Sequence, residues 1–230
     1  MLQVSEHSGN IFNSTADAVV VTVNCLGFMG KGMALECALR HQDVEREYKI
    51  LCETNQIGIG KMTWVSLPNG KTLVLFPTKT DFKYPSKYEY IEAGLEQLVN
   101  DVASRAITSL AVPRLGAELG GLEWGRVRPQ IINAFNDIDI ELELWTFGPQ
   151  FNDPLILLLN SRLESQADLA MRDTGVTARQ IDTLIQFTRR NTSATLVDVL
   201  SIPGIGKVML KKLVKWVNEP QADSQMTLFG

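Results

Sequence analysis

The chain changes texture once, at Gly148-Pro149, and that change limits the possible folds more than any single motif. Before it, short runs rich in branched apolar residues alternate with stretches of helical periodicity. Runs at 18–23, 71–76, 109–112 and 140–145 read as strands. The first and third are almost continuously apolar, as in strands covered on both faces. Met1-Leu2-Gln3-Val4 opens a further strand pattern and lacks the basic leader of a signal peptide. Between these runs, 32–48, 88–105 and 125–135 carry helical spacing; Ile91, Leu95, Leu98 and Val102 form one apolar stripe. The alternation predicts a layered α/β domain over 1–149. Beyond it only helical stretches follow, at 154–172, 177–190, 195–201 and 207–218, which predicts a small all-α domain over 150–218. Thr177 and Thr195 are expected N-caps, and the run from Leu155 to Leu159 reads as part of a core helix. Residues 219–230 read as a tail.

Charge follows the same division. The 230 residues carry a formal net charge of −4. Residues 1–150 hold 13 Lys and Arg against 18 Asp and Glu, whereas 151–230 hold 9 against 8. An acidic total argues against nucleic acid, but its distribution does not, because four lysines gather near the end of the second part. No apolar run approaches the roughly 20 residues that span a bilayer, so no membrane partner is expected. Three cysteines without CxxC spacing and two histidines give a zinc site few ligands, and reduced thiols in a cytoplasmic protein are the expectation. No metal and no cofactor is anticipated.

Two glycine-containing loops follow strands. The first runs Asn24-Cys25-Leu26-Gly27-Phe28-Met29-Gly30-Lys31-Gly32-Met33; the second runs Pro113-Arg114-Leu115-Gly116-Ala117-Glu118-Leu119-Gly120-Gly121-Leu122-Glu123-Trp124. Both open into helical stretches, where glycine allows close backbone approach and amides face an anion. Neither contains GxxxxGK[ST], which disfavours a Walker-type site. Two such loops suggest a pyrophosphate held from both sides, although glycines at these turns also serve the turn itself.

Four segments, in this order, resemble the macrodomains of the DarG group: Val23-Asn24-Cys25-Leu26-Gly27 followed by Met29-Gly30-Lys31-Gly32-Met33-Ala34-Leu35, then Phe76-Pro77-Thr78-Lys79, then Ile91-Glu92-Ala93-Gly94-Leu95, then the loop 113–124. The resemblance covers about 1–147. It implies a macrodomain, a mixed sheet between helices, that removes ADP-ribose from thymidine bases in DNA and so reverses a DarT-like transferase. ADP-ribosylated DNA is then the substrate and ADP-ribose the product. By the same resemblance, Asn10 and Ile11 meet the adenine. Asn24 contacts the distal ribose, and Gly27, Gly30, Lys31, Gly32 and Met33 wrap that ribose and the pyrophosphate. Gly116, Ala117, Leu119, Gly120 and Gly121 form the opposing cradle. Lys79 matches the catalytic residue of the group, with Asn24 orienting the sugar. Taken alone, Lys79 would read as a solvated lysine at a strand end. Cleaving an N-glycosidic bond passes through a cation-like sugar and leaves charge on the base, which a lysine can neutralise or protonate; a lysine of depressed pKa can instead attack the anomeric carbon as an amine. Two departures stand out. Val21 occupies a position where relatives often carry Asn, and Glu118 sits where glycine is common, setting a carboxylate towards a pyrophosphate.

In the second part, Leu200-Ser201-Ile202-Pro203-Gly204-Ile205-Gly206-Lys207 between helical stretches resembles a helix–hairpin–helix DNA-binding motif. Gly204 and Gly206 permit a tight hairpin whose amides face a phosphate, Ile205 anchors it, and Lys207 and Lys211 add charge, with Lys212 and Lys215 beyond. Such contacts hold the DNA backbone and carry little sequence information. The terminal Gln225-Met226-Thr227-Leu228-Phe229 resembles a bacterial sliding-clamp-binding peptide, with Gln225, Met226, Leu228 and Phe229 as its anchors. The leading reading is a DNA ADP-ribosyl glycohydrolase in repair or as an antitoxin. The alternatives are a hydrolase or phosphatase of small ADP-ribose derivatives, and a non-catalytic reader of ADP-ribosylated DNA.

Overall fold

The computed structural model describes residues 1–219. They divide into two compact units, Met1–Phe151 and a second that begins at Asn152.

In the first unit the strands are β1 (Gln3–Gly9), β2 (Ala18–Asn24), β3 (Thr63–Ser66), β4 (Thr72–Lys79), β5 (Ser109–Pro113) and β6 (Glu141–Phe147). Among the described residues they form one six-stranded sheet in the order β1-β6-β5-β2-β4-β3. Every pair is parallel except β3 with β4. The helices are α1 (Gly32–Arg40), α2 (Gln42–Glu53), α3 (Tyr88–Ser104) and α4 (Trp124–Ala134), with a 3-10 turn at Ile11–Asn13.

The apolar run of β2 explains the layering. Val19, Val21 and Val23 alternate onto one face, where they meet Met33, Cys37, Ala38, Val44 and Tyr48 of α1 and α2. Ala18 and Val20 face the other way, into a second core with Ile91, Leu95, Leu98 and Val102 of α3 and Val127 and Ile131 of α4. A strand with two buried faces needs apolar residues at consecutive positions, and β2 has them. The stripe at Ile91, Leu95, Leu98 and Val102 packs as its spacing predicts.

Two features depart from the sequence reading. The stretch 32–48 is not one helix: His41, at φ −130° and ψ 79°, ends α1 through its N–H to Cys37 and starts α2. The four-residue β3 also went unread, because Thr63–Ser66 is half covered and lies at the sheet edge.

The second unit contains, among its described residues, helices only: α5 (Pro154–Ser165), α6 (Ala167–Thr174), α7 (Ala178–Arg190), α8 (Leu196–Val199) and α9 (Lys207–Asn218). Here too one expected helix is two, divided at Gln166. The leucine run belongs only partly to the core: Ile156 and Leu159 are buried while Leu157 and Leu158 are exposed. Thr177 and Thr195 cap α7 and α8 as expected, each in a reciprocal capping box, with Gln180 and Asp198 respectively. No helix among the described residues is long and apolar enough to cross a membrane.

Candidate active site at the sheet switch point

Successive crossovers leave β2 in opposite directions, to β4 on one side and from there to β5 on the other. Strand order reverses at β2, so the loops leaving the carboxyl ends of β2, β4 and β5 splay apart and open a crevice. A cavity of about 450 Å³ occupies that place. Its wall combines the loop after β2, the end of β4, the loop after β5 and Phe147 at the end of β6.

Asn24 organises the first loop. Its side-chain carbonyl accepts from Leu26 N–H at 2.8 Å, and its amide donates to the Phe28 carbonyl at 2.7 Å. Its own backbone carbonyl accepts from the buried Tyr48 hydroxyl at 2.6 Å. Gly27 then turns at φ +76°, with the Lys49 backbone so close that a Cβ would lie 3.2 Å from it. Position 27 therefore excludes side chains on two counts. Lys31 precedes α1 without a side-chain cap, so the amides of the first turn of that helix remain available beside the cavity.

The second loop is wound tighter. Leu122 N–H returns to the Gly116 carbonyl at 2.9 Å, and a Cβ on Gly120 would lie 2.2 Å from that same carbonyl oxygen. Ser86, before α3, supports the loop from behind by donating its N–H to the Gly120 carbonyl at 2.9 Å. Leu119 projects from this loop over Gly32, where a Cβ would come within 3.1 Å of it. The two glycine loops thus approach each other across the cavity.

Lys79 joins them. Thr78 is an extra residue in the β2–β4 pairing: Val23 matches Pro77, but Asn24 matches Lys79. Pro77 lies past Leu75, the last β4 residue paired to β3, so that edge needs no N–H from it. The bulge brings Lys79 level with Asn24, and its ammonium donates to the Leu119 carbonyl at 2.5 Å. Burial holds its pKa below that of an ordinary lysine.

Glu118 and Arg114 face the same space. Glu118 is exposed along much of its length, yet desolvation raises its carboxyl pKa, against a smaller opposing effect from Arg114. The Arg114 guanidinium lies 5.4 Å from the Trp124 ring centroid, and its buried Nε has no hydrogen-bond partner among the described residues.

Of the residues expected at the site, the structure brings Asn24, Gly30, Lys31, Gly32, Met33, Lys79, Gly116, Leu119 and Gly120 to the cavity wall. It does not bring Asn10 or Ile11 there. Both are fully buried. The Asn10 side chain accepts from Phe12 N–H, capping the 3-10 turn, and donates to the buried Glu36 carboxylate at 3.0 Å. Gly27, Ala117 and Gly121 shape the loops without lining the cavity; Gly121, at φ +79°, closes a turn onto Glu118. Val21 lies in the α1–α2 core, and the β2 residues that reach the cavity are Thr22, Val23 and Asn24. Sequence reasoning missed Thr78, Phe82, Arg114 and Phe147. Arg114 could have been noticed as the one cation inside the second glycine loop.

In the second unit, Gly204 turns at φ +86° and its carbonyl accepts from the Gln180 amide at 2.7 Å. Ile205 and Ile202 are buried beneath the hairpin. Gly206 has ordinary backbone angles and open space where a Cβ would stand. Lys212 and Lys215 are exposed, whereas Lys207 and Lys211 are partly covered. Gln225, Met226, Leu228 and Phe229 lie outside the described residues.

No protein-family profile matches the sequence. The chain is 39% identical over 134 residues to the DNA ADP-ribosyl glycohydrolase of Mycobacterium tuberculosis, a match covering 57% of this chain and 38% of that protein. It is 31% identical over 155 residues to a DNA ADP-ribosyl transferase–DNA ADP-ribosyl glycohydrolase fusion protein of Thermosipho africanus, covering 60% of this chain and 40% of that one. The chain therefore spans about two fifths of the length of the curated relatives it matches. Among solved structures, the macrodomain of Mycobacterium tuberculosis DarG superposes with a TM-score of 0.61 at 35% identity, covering 63% of this chain and 97% of that domain. With that domain covered almost completely, the chain belongs, over about three fifths of its length, to the DarG-type macrodomain family.

Proposed function

We propose that this protein removes ADP-ribose from DNA bases, thymidine foremost, by hydrolysing the N-glycosidic bond between sugar and base. One observation carries the reading furthest. A lysine of depressed pKa stands at the cavity between two glycine loops, level with an asparagine of the neighbouring strand. In this reading the α1 amino end and the loop 116–120 hold the pyrophosphate from opposite sides. That places the distal ribose beside Asn24 and Lys79. As the bond lengthens, positive charge grows on the anomeric carbon and negative charge on the leaving base. The Lys79 ammonium, near the Leu119 carbonyl, donates a proton to the departing nitrogen; water then adds its hydroxyl to the anomeric carbon and returns its proton to the Lys79 amine. Desolvation suits the lysine to give up that proton.

The helical unit serves the same substrate by gripping a DNA backbone. Gly206 supports this, since nothing among the described residues calls for a glycine there, while its lack of a side chain leaves the α9 amino end open to a phosphate. A DarT-like transferase is the proposed source of the modified DNA, in keeping with the transferase–glycohydrolase fusion among the relatives. Tethering by a second DNA contact raises the local concentration of the site at modified bases.

The test is release of free ADP-ribose from thymidine-ADP-ribosylated single-stranded DNA. Wild type should release it, and Lys79→Ala should lose about 10²–10⁴-fold in turnover, the usual worth of a positioned acid or base. Full turnover by Lys79→Ala would remove the lysine from the mechanism. Binding without release by wild type would identify a reader, with Glu118 facing the phosphates as its physical cause.

A further inference from the structure

Two phenylalanines at the mouth of the cavity are unaccounted for by the chemistry above. Phe28, from the first glycine loop, and Phe82, from the loop between β4 and α3, are 52% and 43% exposed, yet both border the cavity. Their ring centroids lie 4.8 Å apart at 42°. Neither ring is loosely placed. The Phe28 carbonyl is fixed by the Asn24 amide, and its ring covers Gly30 so closely that a Cβ there would lie 2.2 Å from it. Phe82 rides on a turn held by Asp81, whose carboxylate accepts from Lys83 N–H at 2.9 Å and whose carbonyl accepts from Tyr84 N–H. A protein that seats two aromatic rings and leaves half of each in water forgoes burial worth about 1–2 kcal/mol.

The charges around the rings indicate what covers them. The Lys83 ammonium stands 5.8 Å from the Phe82 centroid, and Lys31 and Lys79 lie at the same cavity. Within a unit whose net charge is −5, lysines thus gather at its aromatic mouth. The acids nearby are Asp81, committed to the turn, and Glu118 on the opposite loop. Aromatic faces for bases beside cations for phosphates are the arrangement that holds single-stranded nucleic acid.

We infer that the Phe28–Phe82 pair is a stacking platform for a nucleobase adjoining the modified one, so that the site engages a DNA strand and not an isolated ADP-ribosyl nucleoside. This rests on the proposed DNA substrate. It predicts recognition of single strands, since a base paired in a duplex has no free face to offer.

The experiment compares KM for an ADP-ribosylated thymidine hexanucleotide with KM for ADP-ribosyl thymidine, using the full chain and its Phe82→Ala, Phe82→Leu and Phe82→Trp variants. Base stacking on one ring corresponds to roughly a tenfold change. Phe82→Ala and Phe82→Leu should raise KM for the hexanucleotide about tenfold, and by at least fivefold more than for the nucleoside; Phe82→Trp should keep wild-type discrimination. Equal losses on both substrates, no loss on either, or Phe82→Leu matching Phe82→Trp would overturn the platform. Should wild type release ADP-ribose from neither substrate, the hydrolase reading falls by itself. The same ratio, read as Kd of the two compounds, then decides the platform.

Discussion

Replacing Gly94 by alanine should destabilise the first unit, although helix propensity alone says the reverse. Gly94 is in the interior of α3, where exchange to alanine is ordinarily favourable by about 1 kcal/mol. Here a Cβ would lie 2.1 Å from Cζ of Phe76 and within 2.8 Å of two more ring atoms. Carbon atoms rest at about 3.5–4.0 Å, so ring or helix must retreat by more than 1 Å. The ring cannot escape, being fully buried in β4 between β2 and β3. Overpacking of this kind costs about 1–3 kcal/mol, and three contacts this short place it at the upper end. The net expectation is a loss of about 2 kcal/mol. Urea unfolding followed by tryptophan fluorescence measures it, since Trp64, Trp124 and Trp145 all belong to the first unit. Phe76→Leu, which removes the crowding atoms, should relieve most of the penalty, so the double variant should be more stable than the sum of the singles predicts. A Gly94→Ala protein more stable than wild type, or strict additivity with Phe76→Leu, would refute the packing argument.

Glu118→Gln should tighten ADP-ribose binding about fivefold at pH 8 by removing a charge from the wall of the proposed phosphate site. Because the carboxyl pKa is raised, wild type loses that charge as pH falls, so calorimetry should show the variant's advantage shrinking towards acid. His41, pushed down to about 4 by burial and then by Arg40 and Lys71, stays neutral in the fold while the unfolded chain takes up its proton near 6.5. Stability from His41 should therefore be complete above 6.5 and drain away as pH falls towards 4, and melting temperatures of wild type and His41→Gln should converge over that range. Thr177→Ala should cost about 1 kcal/mol by unmaking the α7 capping box. It should also speed amide exchange in the hairpin, because Gln180 of that box holds the Gly204 carbonyl.

Legibility in the sequence followed periodicity. β2 and α3 could be read because each repeats its pattern over enough residues to define a face. The breaks at His41 and Gln166 could not, since neither residue is a glycine or proline and each break satisfies its carbonyls by ordinary helix-end bonds. Glycine loops after strands disclosed most of the cavity wall. The burial of Asn10 and Ile11 was not legible, because a short polar side chain before an apolar residue suits a ligand contact and a helical cap equally well, and only the fold shows the Asn10 amide meeting Glu36. Phe82 escaped for the opposite reason. An exposed aromatic in a loop has no periodic partner, and its nearness to Phe28 depends on chain 54 residues away.

The extra residue at Thr78 makes the reactive geometry a matter of counting. Insert one residue between Val74 and Lys79 and composition hardly changes, but the lysine would reach the end of its strand one step out of phase with Asn24. The two glycine loops would be untouched. In the proposed reaction, a chain with that insertion would still hold the pyrophosphate half of the substrate while having nothing level with the bond to be cut. Insertions in this short stretch therefore separate holding from cutting more cleanly than most side-chain replacements can.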